Sequence, residues 1–468
     1  MRISKISNKI IYVIGTLLLI SICGCSKPTE EAKTESEETA APKIISIQND
    51  TGDYAKVQEE ITEELTEEIV EEEPAEEFIY DDENKTYSKE AASPDEVVLR
   101  FVGDICFYDD FSLMSTYRDR GSDINNCIDA TLLESMRSAD IFMANNEFPY
   151  SDRGAPLQNK KYTFRSKPSN VSILNDMGAD IVSLANNHAY DWGPDALVDS
   201  FSILKDAKVP FVGAGMNISE AMHPVYFKIN GKTISYVSAT QIERTGSPDT
   251  REATEDSPGV LRTLDSTKAC AAISDAAANS DFVIMYVHWG SENTDLVDSS
   301  QRDLAKKYVD SGADLIIGDH SHCLQGIDYI GNVPVFYSLG NYWFNSKTVD
   351  TGIAEIILDT SVDWGTGDCI KSVKFIPALQ KGCRTNEVSQ DEATRIFDYL
   401  QGISDYAEID LTTGVIIRSD TNHNRQGGMN TSPTKKVEPE TINIDGIIYG
   451  KNENGELYVI GPAEPVAE

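Results

Sequence analysis

The sequence predicts an α/β fold with a mostly parallel sheet covered by helices on both faces. Two observations lead to this prediction. Short apolar runs typical of buried strands recur between residues 97 and 341, and each ends in Gly, Asn, Asp or His. Segments with apolar residues at helical spacing lie between them, and this alternation of strand and helix is typical of parallel sheets with crossover helices.

The predicted strands share a buried apolar run that stops abruptly at polar residues. The most marked is 181–185, which ends at Asn186, Asn187 and His188, with Asp191 shortly after. Residues 225–238 differ, because Asn230 and Gly231 between two β-rich runs predict an antiparallel hairpin. The other predicted strands are 97–102, 141–143, 209–212, 282–287, 315–317 and 335–338.

Helices are predicted where apolar residues recur on one face between start and stop signals. A helix begins at Pro168 and ends before Gly178, and another covers 194–208. Two more are predicted at 271–278 and up to Val309, the latter with Ser300 and Asp303 as a capping box. Beyond Gly382 the pattern weakens to a helix at 391–400 and a strand at 415–417. Residues 97–385 are therefore predicted to form the main domain, and 386–468 a partly disordered C-terminal extension.

Charge excludes one class of partner. The 468 residues contain 77 acidic side chains against 40 Lys and Arg, a net charge of −37, which repels nucleic acid. Residues 30–96 hold 24 of these acids and only five lysines. Such a segment buries too little apolar area to fold, so residues 26–96 are predicted to be an acidic disordered linker that acts as a tether.

The first 25 residues have the pattern of an export signal. Arg2, Lys5 and Lys9 precede an apolar run from residue 10 to 22, and small residues follow up to Cys25. The end of the run resembles a bacterial lipobox, which implies cleavage before Cys25 and lipidation of its thiol. The alternative is an uncleaved signal anchor. Both predict an extracytoplasmic protein attached to the cell membrane, and the lipobox predicts attachment by an N-terminal lipid.

Candidate metal ligands collect at the predicted strand ends. Carboxylate, amide and imidazole groups together suit borderline divalent metals such as Mn²⁺, Zn²⁺ or Fe²⁺, and a carboxylate shared between two sets suits a two-metal centre. Taken singly, each residue has a structural alternative as a turn residue, a helix cap or a buried core histidine. We expect His320 and His322 to lie on an extended segment and to project to the same side. The candidates are Asp104, Glu147, Asn187, His188, His288, His320 and His322.

These motifs resemble, in order and spacing, the bacterial CapA family of capsule and poly-γ-glutamate synthesis proteins. The resemblance covers roughly residues 97–383 and includes Gly103-Asp104, Asn146-Glu147, the run 183–188, His288-Trp289-Gly290, His320-Ser321-His322 and the run 337–341. It implies the four-layer αββα fold of calcineurin-type metallophosphoesterases.

By this resemblance, the site holds one or two divalent metal ions. His188 assists the leaving group, and Asp191, Asp319 and Asn341 support the ligands or shape the turns. The implied metal positions are Asp104, Glu147, Asn187, His288, His320 and His322.

Two positions depart from the phosphoesterase pattern. Cys106 stands where an Asp-x-His motif would place a histidine, and it is either a soft thiolate ligand or a buried strand-end residue. Asp319 stands where the family more often has another histidine, and it either orients His320 or His322 or is exposed. The other cysteines after Cys25 include no Cys-x-x-Cys pair, so a zinc ribbon is excluded and most are interpreted as buried apolar residues.

The resemblance implies a metal-dependent hydrolase or transferase that acts in synthesis, anchoring or release of an anionic cell-surface polymer. Its expected partners are the polymer or its precursor, membrane polymer-synthase subunits and the membrane. Phosphoester and amide chemistry both remain open. The alternative is a noncatalytic polymer-binding scaffold subunit of a capsule synthase complex, and a third possibility is a nucleotide-scavenging phosphatase.

Overall fold

The computed structural model describes residues 79–242, 250–366 and 368–424, together with the backbone of three short strands between residues 442 and 462. The predicted signal peptide 1–25, the lipidation site Cys25 and most of the acidic linker lie outside the described residues. No helix in the described part of the chain is long and apolar enough to cross a membrane.

Two large sheets dominate the fold. The first has the strand order β18-β17-β16-β3-β4-β5-β6, with β15 also beside β3, and the second has the order β1-β2-β8-β9-β11-β12-β14-β13. The strands, in chain order, are β1 (Tyr80–Asp81), β2 (Thr86–Ser88), β3 (Glu96–Ile105), β4 (Ile141–Asn146), β5 (Ile181–Ser183), β6 (Phe211–Val212), β7 (Ala214–Gly215), β8 (Val225–Ile229), β9 (Lys232–Thr240), β10 (Gly259–Val260), β11 (Phe282–His288), β12 (Leu315–Asp319), β13 (Ile327–Ile330), β14 (Val333–Phe336), β15 (Asn341–Trp343), β16 (Val349–Asp359), β17 (Ile370–Gln380), β18 (Thr385–Glu387), β19 (Ala407–Ile409), β20 (Ile416–Arg418), β21 (Ile442–Ile444), β22 (Ile447–Lys451) and β23 (Leu457–Pro462).

Helices cover the outer face of each sheet, and the last helix packs against the core between the sheets. They are α1 (Ser112–Asp119), α2 (Ala130–Arg137), α3 (Ser172–Met177), α4 (Pro194–Asp206), α5 (Ile218–Met222), α6 (Thr267–Asn279), α7 (Ser299–Asp310) and α8 (Gln390–Ile403). Helix α7 is capped by Asp298 and Gln301. The capping box predicted at Ser300 and Asp303 is therefore wrong by two residues.

The buried side chains form three cores, and these define the layers. One core lies between the two sheets and includes Phe101 from β3 and Tyr286 from β11. The second lies between the first sheet and helices α1 to α4, and the third between the second sheet and helices α5 to α7. The four-layer αββα arrangement is thus confirmed. The single sheet expected from the strand and helix pattern alone is wrong, because two sheets face each other across the first core and helices α1 to α7 lie on their outer faces.

Parallel pairing places the carboxyl ends of the central strands together. Strands β3, β4, β5 and β6 are parallel neighbours in the first sheet, as are β9, β11, β12 and β14 in the second. The predicted hairpin is confirmed, since Asn230 and Gly231 both have positive φ and join antiparallel strands β8 and β9. The two parallel sets end side by side, and the candidate residues lie at those ends.

The fold extends past both predicted boundaries of the main domain. Strand β2 pairs with β8, and Tyr87 packs into the core between the sheets, so the folded part begins before residue 96. Helix α8 contributes Ile396 and Leu400 to the same core. The described part of the predicted C-terminal extension therefore packs as part of this fold up to Asn424.

Candidate metal centre

The structure brings the six predicted metal positions together at the shared end of the two sheets. Within the described residues, three overlapping groups have ligand atoms within 4.8 Å of one another. The first contains Glu147, His288 and His320, and the second contains Asp104, Glu147 and His322. The third combines Asp104 and His288 with Asp319. Glu147 belongs to the first two groups and is the residue that links them.

The end of each strand positions the candidate side chain that lies there. Asp104 is near the end of β3, where the backbone of Gly103 approaches Gly340 so closely that a Cβ would lie 2.0 Å from the Gly340 carbonyl oxygen. This approach lets Asn341 pair with Asp104 across the sheet. Glu147 follows β4, and its backbone N–H donates to Ile105. The backbone therefore needs glycine at residue 103 to bring Asp104 and Asn341 together.

The first group has the spacing of a coordination shell. The Nε2 atom of His288 lies 2.8 Å from Asn187 Oδ1, 3.0 Å from His320 Nδ1 and 3.7 Å from Glu147 Oε1. Metal–ligand distances of about 2.1 Å place the donor atoms of one shell about 3 Å apart. Asn187, which follows β5, therefore adds an amide oxygen to the group formed by the two histidines and the glutamate.

The second group centres on an imidazole and a carboxylate. His322 Nδ1 lies 3.1 Å from Asp104 Oδ2 and 2.8 Å from Asn341 Oδ1. Burial alone would raise the pKa of Asp104, but the hydrogen bond and charge of His322 outweigh it and lower this pKa. The same contact with Asp104 raises the pKa of His322 against the opposing effect of burial. Both shifts favour an ionised Asp104 beside a protonated His322.

Glu147 provides the test of whether a cation fits. Its side chain is fully buried, and neither carboxylate oxygen has a hydrogen-bond partner among the residues that the structure describes. Burial, and then the charge of Asp104, raise the pKa of Glu147 well above its ordinary value. A buried carboxylate without a partner is costly, and a metal ion removes that cost. The residues present therefore fit a metal centre.

The imidazoles of the first group are in the form that binds metal. Burial lowers the pKa of His288 to about 3 and that of His320 well below its ordinary value. Both rings are therefore neutral near pH 7, with lone pairs available for coordination. Metal binding at these two rings needs no loss of a proton.

Asp319 orients His288. Its Oδ1 atom lies 2.8 Å from His288 Nδ1, because the two residues are opposite each other in parallel strands β11 and β12. The expectation that Asp319 orients His320 or His322 is thus wrong. Buried carboxylates that bind the second nitrogen of a ligating histidine fix its ring orientation.

The predicted extended segment at His320 and His322 is also wrong. Both residues have positive φ, 89° and 58°, so the chain turns sharply after β12. The two rings still lie close, with centroids 5.8 Å apart. The turn therefore brings together side chains that an extended segment would also place on one side.

His188 is held at the edge of the first group. Its Nδ1 atom lies 2.6 Å from Asp191 Oδ2, and its Nε2 atom lies 3.7 Å from Glu147 Oε1. The ring stacks on Phe164 at a centroid distance of 4.1 Å. Asp191 therefore orients His188, in addition to the predicted role in the turn.

Cys106 is a buried thiol and is not one of the candidate ligands. Its thiol is buried in the core between the first sheet and its helices, and burial raises its pKa well above the ordinary value. It belongs to none of the candidate ligand groups in the described residues. Of the two predicted interpretations, the structure favours the buried strand-end residue. The remaining five cysteines of the described chain are also free thiols.

Sequence reasoning missed several residues that support the site. Asn145 Nδ2 donates to Asp104 Oδ1, and Asn186 Nδ2 donates to Asn145 Oδ1. These amides lie beside predicted ligands at strand ends, which is the signal that could have identified them. Lys160 and Phe164 also contact the site, but they lie in a loop whose sequence has no periodicity. No sequence pattern therefore identifies them as supporting residues.

Comparison with known proteins identifies a family model and several relatives of this chain. Residues 98–346 match the family model described as bacterial capsule synthesis protein PGA_cap. The PGA biosynthesis protein CapA of Bacillus subtilis (strain 168) is 30% identical over 290 residues, which cover 60% of this chain and 71% of the relative. The capsule biosynthesis protein CapA of Bacillus anthracis is 30% identical over 230 residues, covering 47% of this chain and 55% of the relative.

A more distant relative extends the comparison to another genus. A probable polyglutamine synthesis accessory protein of Mycobacterium tuberculosis (strain CDC 1551 / Oshkosh) is 27% identical over 279 residues, 57% of this chain and 73% of the relative. The family model spans more than half of the chain and every predicted metal position. The chain therefore belongs to the bacterial capsule synthesis protein family PGA_cap.

Proposed function

We propose that this protein is a metal-dependent hydrolase or transferase that acts in synthesis, anchoring or release of an anionic cell-surface polymer, poly-γ-glutamate or capsule. The observation that carries the proposal is the buried Glu147 carboxylate. Its two oxygens lack hydrogen-bond partners in the described chain and face histidines of both candidate groups. A carboxylate shared between two ligand sets is the arrangement that two-metal hydrolytic centres use.

The residues divide into those that hold metal and one that moves a proton. Asp104, Glu147, Asn187, His288, His320 and His322 would hold one or two divalent ions, of which Mn²⁺, Zn²⁺ and Fe²⁺ suit the mixed oxygen and nitrogen donors. Bound metal supplies Lewis-acid polarisation of a phosphoryl or acyl oxygen and a nucleophile at neutral pH.

His188 is the candidate general acid or base. Its Nδ1 atom faces the Asp191 carboxylate, which leaves Nε2 directed toward Glu147. Burial lowers the pKa of His188, so its imidazole is neutral in the resting site and can accept a proton at Nε2. The side chain thereby moves a proton at the edge of the ligand group.

The cellular setting of the proposal comes from the sequence and the relatives. We place the protein outside the cytoplasm, held to the membrane through lipidated Cys25 and the acidic linker. The relatives' names refer to PGA, capsule and polyglutamine synthesis, and one describes an accessory protein. These names support an anionic polymer as substrate and membrane synthase subunits as partners.

The test uses the full chain purified in mild detergent. Metal content is measured first, followed by turnover of bis(p-nitrophenyl) phosphate and shortening of poly-γ-glutamate. We expect bound metal and turnover of one of these substrates, both lost in His322→Ala and retained in His223→Ala, a histidine outside the cluster. Absence of metal, together with unchanged activity in His322→Ala, would refute the enzymatic proposal.

A second candidate function is a noncatalytic polymer-binding scaffold subunit of a capsule synthase complex. The observation that favours it is Cys106, which occupies the histidine position of the phosphoesterase pattern but belongs to none of the candidate ligand groups in the described residues. The second group then has one imidazole fewer than that pattern. This candidate predicts bound metal and polymer binding without turnover in the same experiment.

A further inference from the structure

The loop segment 157–164 wraps around the turn 187–191, which carries Asn187 and His188. The backbone N–H of Leu157 donates to the carbonyl of Asp191 at 2.8 Å. The backbone N–H of Phe164 donates to the Asp191 carboxylate at 2.6 Å, and the Phe164 ring stacks on His188. The loop therefore contacts both the backbone and the side chains of the turn.

Lys160 is the central residue of this segment. Its Nζ atom donates to the backbone oxygen of Asn187 at 2.5 Å and to Asp191 Oδ1 at 2.6 Å. The Lys160 side chain is only 4% exposed and that of Asp191 is fully buried. Asn187 and Asp191 are the two ends of the turn, so one buried ammonium group connects them.

Because the side chains of Lys160 and Asp191 are both buried, each charged group depends on the other as a partner. An ammonium or carboxylate group removed from water is stable only with a well-placed partner, so removing one partner leaves the other charge uncompensated. The Asp191 carboxylate accepts hydrogen bonds from Lys160 Nζ and Phe164 N and faces His188 Nδ1. An ionised carboxylate only accepts, so the proton of the His188 imidazole lies on Nδ1.

We propose that Lys160 is a positioning residue that sets both the tautomer of His188 and the orientation of Asn187. By holding Asp191 and the Asn187 carbonyl, it keeps the proton on Nδ1 of His188 and directs Nε2 toward Glu147. The inference deepens the proposed function, because His188 is the proton-transfer residue in it. The role of Lys160 is to act through Asp191, without contact to the reacting atoms.

The first readout does not depend on activity. The chain has six histidines, so ¹⁵N-histidine labelling gives a small set of ring signals, and His188→Gln identifies those of His188. In the metal-free full chain we expect His188 to be the Nδ1–H tautomer. Lys160→Met is expected to convert this signal to a mixture of tautomers, and Lys160→Gln, which keeps a donor without the charge, to convert it partly.

A matched control and a double variant separate positioning from general stability. Lys161→Met removes the adjacent lysine, whose Nζ atom lies over the Tyr162 ring, and should leave the tautomer unchanged. Lys160→Met combined with Asp191→Asn should give the same tautomer mixture as Asp191→Asn alone, because Lys160 acts through that carboxylate. Lys160→Gln keeps the test available if Lys160→Met fails to fold.

Turnover is the second readout. If the proposed reaction occurs, Lys160→Met should lower kcat roughly 10- to 100-fold, as loss of an orienting partner does, with a smaller change in KM. If the wild type has no turnover, the proposed function fails while the tautomer measurement still decides the role of Lys160. An unchanged Nδ1–H tautomer in folded Lys160→Met and Lys160→Gln would overturn the inference.

Discussion

Replacing Glu147 by glutamine should have opposite effects on stability with and without metal. The substitution keeps the size of the side chain but removes the charge that links the two candidate ligand groups. In the metal-free protein the Glu147 carboxyl group is buried without a hydrogen-bond partner in the described chain. As pH rises it must either keep a proton or carry a costly charge, so a neutral amide in its place should stabilise the fold. In the metal-loaded protein the same charge is a ligand, so its removal should destabilise the complex.

The size of the metal-free effect follows from the raised pKa of Glu147. A carboxyl group whose pKa is higher in the folded than in the unfolded protein makes its full contribution to folding stability at pH values below its ordinary pKa. That contribution is lost as the pH rises from the ordinary pKa toward the folded-state pKa. The loss grows with each pH unit above the ordinary value of 4.5, and its ceiling at pH 7 is roughly 3 kcal/mol. For roughly 340 described residues, this ceiling corresponds to a Tm difference of about 4 °C.

The size of the metal-loaded effect follows from mass action. Metal at 1,000 times its Kd stabilises the wild type by about 4.1 kcal/mol, or about 6 °C in Tm. Glu147→Gln binds metal more weakly in both groups and should lose most of this increase. The order of the two melting temperatures therefore reverses between chelator and metal.

The assay is differential scanning calorimetry of the full chain from pH 4.5 to 8, in EDTA and in excess Mn²⁺ or Zn²⁺. In EDTA the two proteins should melt together at the lowest pH and separate as pH rises, with Glu147→Gln the more stable. Glu134→Gln replaces an exposed glutamate on α2 and should match the wild type throughout. A metal-free Glu147→Gln that melts below the wild type at pH 7, with unchanged metal uptake, would refute the reasoning.

Three further variants test separate parts of the site. Asp319→Asn should weaken metal binding roughly 10- to 100-fold in calorimetric titration, because His288 loses the carboxylate that orients it, and unchanged affinity would contradict this role. Gly103→Ala should lower both Tm and metal uptake, since its Cβ would lie 2.0 Å from the Gly340 oxygen, and a wild-type Tm would show that the close approach is not required. His188→Asn should retain the metal while turnover falls roughly 10²- to 10⁴-fold, and loss of the metal would instead make His188 a ligand.

The clustering of the candidate ligands could be predicted because each of them lies at or near the end of a strand. Glu147 follows β4, His288 ends β11 and His320 follows β12. Apolar runs identify the strands, and parallel pairing makes the residue after each run converge on one edge. Local sequence therefore contains enough information to place these side chains together, although it does not state which strands pair.

The missing pairing information explains the predictions that were wrong. A single sheet was expected because the repeating strand and helix pattern is the same whether the strands form one sheet or two. The partner of Asp319 is His288 because β11 and β12 are neighbours, a long-range fact that spacing does not contain. Helices α1, α2 and α5 were not predicted.

The loop residues that complete the site had no sequence signal. Lys160 lies 27 residues before Asn187, in a segment without regular periodicity. Its function depends on a buried contact that forms only when the loop folds over the turn. A surface lysine and a buried one are identical in sequence, so burial and the two acceptors had to come from the structure.

Anomalous diffraction from crystals of the metal-loaded full chain, recorded at the absorption edge of the bound metal, tests the central claim most directly. We expect a peak among Glu147, His288, His320 and Asn187, and a second peak, if two ions bind, among Glu147, Asp104 and His322. Ordered side chains at these positions with no anomalous peak between them, or a peak only elsewhere on the protein, would contradict the assignment of this cluster as a metal centre.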